Sequence, residues 1–354
     1  MTKWVTKKLG EICWPSPDKY NPLIQKEFKD CIEMENIEQN SGSINGMSDI
    51  SKLLSIKNKF EKGDVLYGKL RPYLRKYWLA QFNGVCSTEI WVLKHDDSVN
   101  SKYLFYLFQT EQINKIANLS SGTKMPRADW SLMQNKYISI PESIAEQRRI
   151  AGILSSADGA IAASEALIAK YRNIKRGLLT TLLQPKEGWK KVKLGECLTI
   201  GNGQDYKHLH KGDIPVYGTG GVMTYVDDYL FDGETVCIGR KGTINKPIFH
   251  CGKIWTVDTL FYTHSFVNVL PLFIYYAFCC IDWLRYNEAT GVPSLSKETI
   301  YKIEINIPED LAEQRRIAEI LSSVDAKIAA EEKVVEKYKG VKKGLMEELL
   351  KSEK

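Results

Sequence analysis

From residue 150 to 182, apolar side chains recur at alternating spacings of four and three, through Ile150, Leu154, Ala157, Ile161, Ile168, Tyr171, Leu178 and Leu182. Ser164 and Lys175 fill two slots of the same ladder. That spacing lays one apolar stripe along one face of an α-helix. A second ladder runs through Ile317, Leu321, Val324, Ile328, Val335, Tyr338, Leu345 and Leu349, with Glu331 and Lys342 in the matching polar slots. Pro141 and Pro308 stand ahead of the two helices, where a missing N–H does no harm, and Pro185 follows the first as a stop. Each helix is expected to cover about 39 residues, roughly 58 Å at about 1.5 Å per residue.

A helix of that length with a single apolar stripe is not stable alone in water, and its natural partner is the other copy in the same chain. A globular segment precedes each helix, so antiparallel pairing sets one segment at each end and gives pseudo-two-fold symmetry. The alternative is two amphipathic helices packed separately on their own domains. The polar slots either fix the register of an antiparallel coiled coil or mark a stripe that drifts through Ile174 and Val341.

Self-similarity extends beyond the ladders. Residues 140–183 return at 307–350 without a gap, an offset of 167 at which 26 of 44 positions are identical. Each copy opens Ile-Pro-Glu-x-x-Ala-Glu-Gln-Arg-Arg-Ile-Ala. Upstream, Leu9-Gly10-Glu11 returns as Leu194-Gly195-Glu196, each a few residues after a tryptophan (Trp4, Trp189). The run from Gly63 to Lys69 resembles that from Gly233 to Arg240 with one insertion, and Glu89, His95, Tyr106 and Gly122 match Asp258, His264, Tyr275 and Gly291 at a constant 169. Strand-like runs at 65–67, 90–93, 235–238 and 259–262, bounded by glycines, mix with a helical pattern at 101–116. The fold class is therefore α+β. The expected order is a globular unit at 1–140, a helix at 141–185, a second unit at 186–307 and a second helix at 308–354.

Composition narrows the function classes. With 354 residues, 44% hydrophobic and 26% charged, the chain has room for two domains and suggests neither disorder nor a fibre. The start has no apolar core of signal-peptide length, and the stretch 269–281 is too short for a membrane span and contains Pro271, so the expected location is the cytoplasm. Eight cysteines without a Cys-x-x-Cys pair read as reduced, mostly buried thiols. The formal charge of +6 is concentrated in residues 1–140, which hold 20 basic and 15 acidic side chains, whereas 186–307 hold 13 of each. Charge alone does not establish DNA binding.

Two divergent globular units, each followed by a near-identical helix with that opening motif, closely resemble the specificity subunits of Type I restriction-modification enzymes. The resemblance covers the whole chain. It implies two α+β target recognition domains, each reading one half of a bipartite double-stranded DNA site, held apart by helices that meet methyltransferase subunits. It implies no cofactor on this chain, with S-adenosylmethionine, ATP and Mg belonging to two methyltransferase subunits and to restriction subunits with translocase activity. A specificity subunit of a related multi-subunit Type II enzyme is the alternative. Two readers on a rigid spacer fit two half-sites at a fixed separation.

In the first unit the DNA-contact candidates are Lys69, Arg71, Arg75 and Lys76 around the strand at 65–67, with Lys124 and Arg127 after Gly122. In the second they are Arg240, Lys241 and Lys246, with Tyr217 and Thr219 in a glycine-rich turn. Basic residues on a turn approach neighbouring phosphates, and arginine bonds bidentately to guanine. His208 and His210 lack a third ligand at a plausible spacing and read as surface loop. At the helix starts, Glu146, Gln147, Arg148, Arg149 and their copies Glu313, Gln314, Arg315, Arg316 are either partner-facing or serve helix-start electrostatics.

A methyltransferase would need an Asn/Asp-Pro-Pro-aromatic motif, and Asn21-Pro22-Leu23 is not one. No Gly-x-x-x-x-Gly-Lys-Ser/Thr phosphate loop occurs. The chain is read as non-enzymatic. Two rivals remain: a metal-dependent nuclease, which would cleave DNA alone, and a protein scaffold, which would never bind DNA.

Overall fold

The computed structural model describes residues 3–52, 54–119 and 125–351. The chain divides into two units, one made of Met1–Ser164 with Val334–Lys354 and the other of Glu165–Lys333. These boundaries cut through both long helices, so each unit combines one globular segment with parts of two helices.

Unit one begins with β1 (Trp4–Lys8), the single turn α1 (Leu9–Ile12), β2 (Trp14–Pro15), β3 (Lys19–Tyr20), β4 (Asp30–Ile32) and β5 (Ser48–Asp49). It continues through β6 (Lys57–Phe60), β7 (Val65–Gly68), β8 (Tyr77–Leu79), β9 (Gly84–Cys86) and β10 (Ile90–Lys94). The helices α2 (Ser101–Leu107), α3 (Glu111–Ala117) and α4 (Trp130–Met133) follow, then β11 (Tyr137–Pro141) leads into α5 (Ile144–Leu182). The strands form sheets ordered β2-β10-β7-β8 and β3-β6-β9-β4-β5, while β1 pairs antiparallel with β11, setting Trp4 opposite Pro141.

Unit two repeats the frame and varies the filling. Its strands are β12 (Trp189–Lys193), β13 (Thr199–Asn202), β14 (Lys211–Gly218), β15 (Gly221–Val226), β16 (Phe231–Gly239), β17 (Ile248–Thr256), β18 (Leu260–His264) and β19 (Glu304–Pro308). Its helices are α6 (Leu194–Cys197), α7 (Pro271–Cys280), α8 (Lys297–Lys302) and the first part of α9 (Leu311–Leu349). Here β12 pairs with β19, setting Trp189 opposite Pro308, and one six-stranded sheet runs β13-β18-β16-β17-β14-β15. The α+β class expected from the strand and helix runs is the one observed. Both prolines close a strand rather than opening a helix, and each helix starts three residues later.

The two long helices have the expected length, 39 residues each. Their pairing is antiparallel in each unit. In unit two Arg172 meets Glu332 at 2.7 Å and Lys175 meets Asp325 at 2.6 Å, so one helix ascends where the other descends. In unit one Lys342 meets Asp158 at 2.6 Å. The apolar ends go further than helix pairing. Leu345, Met346, Leu349 and Leu350 pack against the core that holds Leu9, Tyr103, Leu104, Ile150 and Leu154. In unit two Leu178, Leu179, Leu182 and Leu183 pack against the core of Leu194, Phe273, Ile317 and Leu321. By length and composition alone α5 would pass as a membrane span; 22% of its most apolar window is buried, and Ile150, Leu154 and Ile168 are among its buried residues. The apolar run expected at 269–281 is mainly α7, with Phe273, Ile274 and Phe278 in the unit-two core.

The lysine slots of the ladder act as register pins. Asp158 accepts a hydrogen bond from the Tyr106 hydroxyl at 2.7 Å while Lys342 lies 5.5 Å from the centre of the Tyr106 ring. The same triad recurs as Asp325, Tyr276 at 2.9 Å and Lys175 at 5.4 Å from that ring. The partner tyrosine is Tyr276 and not Tyr275, which the constant offset of 169 had matched to Tyr106. Helical rotation decides this, because only Tyr276 faces the aspartate. Ile174 and Val341 are 41% and 47% exposed, so the stripe does not drift through them. Lys342→Met is expected to destabilise unit one by about 2 kcal/mol, discounted because the Asp158 side chain is one-third exposed. Urea unfolding with hydrogen exchange checks this: lost protection belongs in α2, and Lys175→Met moves it to α7.

All eight cysteines are free; Cys13, Cys31, Cys86, Cys197 and Cys237 are buried, and Cys251, Cys279 and Cys280 are exposed. Burial pushes the Cys31 and Cys237 thiols up to about 12.

Candidate nucleic-acid interface

Seven of the nine basic residues singled out by the sequence follow the ends of two equivalent strands, β7 and β16. In unit one the chain leaves β7 at Gly68. The Lys69 N–H then donates to the Glu89 carbonyl at 2.9 Å, and the Lys69 carbonyl accepts from Ala128 at 2.8 Å. The Arg71 N–H donates to the Pro126 carbonyl at 2.7 Å, and Leu70 bridges Arg127. In unit two the Arg240 N–H donates to Thr259 at 2.8 Å, the Arg240 carbonyl accepts from Leu295 at 2.9 Å, Gly242 donates to Pro293 at 2.8 Å and Lys241 bridges Ser294. The bonds correspond one for one, with 126–128 and 293–295 again 167 residues apart.

Local sequence explains the stiffness of this clamp. Ala128 and Leu295 are buried, and the next residues, Asp129 and Ser296, cap α4 and α8 by accepting from Ser131 and Thr299 backbone N–H groups. A Cβ on Gly239 would stand 2.2 Å from the Thr243 carbonyl oxygen, so the return from β16 needs a residue without one. In unit one the turn is tightened by Pro72, between Arg71 and Arg75, both held at φ +52°. Left-handed backbone at two arginines is strain that the surrounding bonds must sustain.

The structure sorts the candidates into two groups. Lys69 is half-buried and Arg71 exposed at the turn. Arg75 is bound inside unit one, to Glu111 at 2.7 Å and to the Gln109 carbonyl at 3.1 Å. Lys76 donates to the Met34 carbonyl at 2.6 Å, and burial lowers its pKa. These two build the turn. Arg127 pairs with Glu89 at 3.0 Å yet stays half-exposed. Lys124 lies outside the described residues, as does Gly122.

In unit two Arg240, Lys241 and Lys246 are exposed, with the Arg240 guanidinium 5.9 Å from the Phe261 ring centre and 3.4 Å from the Asp258 carbonyl. Thr219 sits in the β14–β15 turn and lines an open pocket with Tyr206, Lys207, Asp258 and Thr259. Tyr217 is half-buried and bonds the His250 ring at 3.3 Å, and burial raises its pKa. It supports the hairpin rather than standing at its tip. His208 packs edge-on near Trp255, and among the described residues no three metal-ligating side chains gather.

At the helix starts the candidates separate again. Gln147 and Gln314 are wholly buried. Gln147 donates to the Pro141 and Ser98 carbonyls and accepts from the Asn100 N–H; Gln314 does the same with Pro308, Asn268 and Leu270. A side chain with its bonding capacity committed inside the unit has no face for a partner, which corrects the expectation for both glutamines. Glu146 holds Arg149 at 2.7 Å, and Glu313 accepts from the Trp189 indole at 3.3 Å. Arg148, Arg149, Arg315 and Arg316 are exposed. The sequence reading missed Tyr73, 52% exposed at the tip of the 71–75 turn, and an exposed apolar residue beside each clamp.

The structure thus defines a class of duplicated α+β chain, each unit carrying a basic turn at its clamp and followed in sequence by a 39-residue helix. The chain belongs to the family described as Type I restriction modification DNA specificity domain, whose model matches residues 1–170 and 186–337. Among curated relatives it is 27% identical to the Type I restriction enzyme EcoDI specificity subunit of Escherichia coli, over 40% of this chain and 33% of that protein. It therefore spans about a third of the length of that relative. It is 23% identical to the Type I restriction enzyme MjaVIII specificity subunit of Methanocaldococcus jannaschii, over 85% of this chain and 82% of that one. The crystal structure of a Type-I restriction-modification system S subunit from M. genitalium matches with a TM-score of 0.70 at 18% identity, covering 100% of this chain and 97% of that chain. That likeness is one of fold.

Proposed function

We propose that the chain is the DNA-specificity subunit of a Type I restriction-modification complex, and that its two units each bind one half of a bipartite, asymmetric double-stranded site. The observation that carries this is the duplicated clamp: one backbone frame, presenting Arg71 and Tyr73 in one unit and Arg240 and Lys241 in the other. Equal frames with unequal side chains read unlike half-sites. Catalysis is delegated. Two methyltransferase subunits, docked by the long helices and the exposed arginines at their starts, methylate an adenine in each half-site with S-adenosylmethionine, and restriction subunits with ATP and Mg cut unmodified DNA. The protein works in the cytoplasm and holds no cofactor of its own.

The test is methylation mapping of DNA treated with the complex. Exchanging residues 1–140 for those of a relative with another target is expected to change one half of the split motif, and exchanging 186–307 the other half. Methylation indifferent to both exchanges would defeat the reading, and metal-dependent cleavage by the chain alone would favour a nuclease.

A further inference from the structure

The repeat also carries an exposed apolar position. Immediately before the clamp proline stands an apolar residue in each unit, Met125 before Pro126 and Val292 before Pro293, and each is 55% exposed. Their backbone is not free to fold them away, since the next carbonyl in each loop accepts from Arg71 at 2.7 Å or Gly242 at 2.8 Å. One exposed apolar side chain on a surface needs no explanation. The same apolar position kept 167 residues apart, each time before a proline whose carbonyl is bonded across the clamp, does need one, because the neighbouring residues change chemistry. Arg127 is replaced by Ser294, and across the clamp Arg71 gives way to Gly242.

The clamp joins the backbone that follows each apolar residue to that of basic residues, Lys69 and Arg71 in unit one and Arg240 and Lys241 in unit two. A polyanion drawn to those groups meets the apolar side chain at the same time. Phosphates offer it nothing, whereas the faces of base pairs and the sugar edges do, and both are alike in every sequence. We propose that Met125 and Val292 are paired wedges, one per half-site, which press against the base stack and favour its local opening, while sequence is read by their polar neighbours. The inference rests on the DNA-reading function proposed above and adds a division of labour to it: residues common to the units deform, residues that differ discriminate.

The experiment uses the complex of the full chain with its methyltransferase subunits and duplexes carrying 2-aminopurine beside the target adenine of one half-site or the other. Fluorescence is expected to rise on binding at either position. Met125→Ala should remove most of the rise and slow methylation about tenfold at the half-site of unit one only, with the motif unchanged, and Val292→Ala should do so at the other. Met125→Leu, which keeps the apolar bulk, should restore both signals. An altered motif, equal losses at both half-sites, or unchanged fluorescence with Met125→Ala would overturn the wedge while leaving the specificity role intact. Absence of any split-motif methylation by the unaltered complex would overturn both.

Discussion

A chain ending at Lys333 is expected to lose the fold of unit one, near its N-terminus, while unit two survives. The deleted segment supplies Leu345, Met346, Leu349 and Leu350 to the unit-one core, where Leu350 is only 6% exposed and meets the cluster of Ile150 and Leu154. It also supplies Lys342, the cation beside Asp158. Emptying a buried leucine site costs about 2–5 kcal/mol, and the loss of Leu350 together with three partly buried apolar side chains is comparable to the roughly 5–15 kcal/mol that holds a whole domain. Unit two keeps all of its own residues, 165–333. Hydrogen exchange read by mass spectrometry decides it: peptides from α2 and α3 should exchange freely and those from α7 should stay protected. Equal protection of α2 in the truncated and full chains would show that unit one does not need the second helix.

Gln147→Leu is expected to cost about 3–5 kcal/mol, although glutamine and leucine are similar in volume. The substitution strands the Asn100 N–H and the Ser98 and Pro141 carbonyls, three groups that the amide now satisfies at 2.8, 3.1 and 2.9 Å. A buried group left unpaired costs about 1–3 kcal/mol; the Pro141 bond is buried and the other two are part-buried, so water and relaxation hold the sum near the lower end. Gln314→Leu should do the same to unit two, whereas Arg148→Ala, on the exposed side of the same turn, should leave stability within about 0.5 kcal/mol. The check is a urea midpoint for each variant, paired with capture of the methyltransferase subunits. A Gln147→Leu chain with unchanged midpoint and weakened capture would return the residue to the partner surface.

Both expectations turn on contacts between residues far apart in the chain. Helix length was legible because it rests on periodicity, and a stripe at spacings of three and four identifies one face of a helix whatever lies opposite; the antiparallel sense was expected from the order of globular segment and helix, which the repeat shows. The place of the basic turns was legible as well, since they follow strand-like runs bounded by glycines. The motif Glu-Gln-Arg-Arg read as surface because its residues are polar, yet its glutamine is buried. A polar side chain goes inside when backbone groups from elsewhere meet it, and Ser98 and Asn100 lie more than forty positions upstream. Arg75 and Lys76 looked like Arg71 for the same reason, until Glu111 and the Met34 carbonyl, distant in sequence, claimed them.

The amino-acid sequence by itself determined the elements that depend on neighbours a few residues apart: two α+β segments, two 39-residue helices, a duplicated plan and membership of a DNA-specificity class. Only the tertiary structure decided that each globular core is finished by the far end of the other repeat's helix, that Tyr276 rather than Tyr275 answers Tyr106, and which cations stay exposed. The physical reason is that side-chain spacing reports the direction in which a residue points, whereas burial and pairing depend on what the rest of the chain brings to meet it.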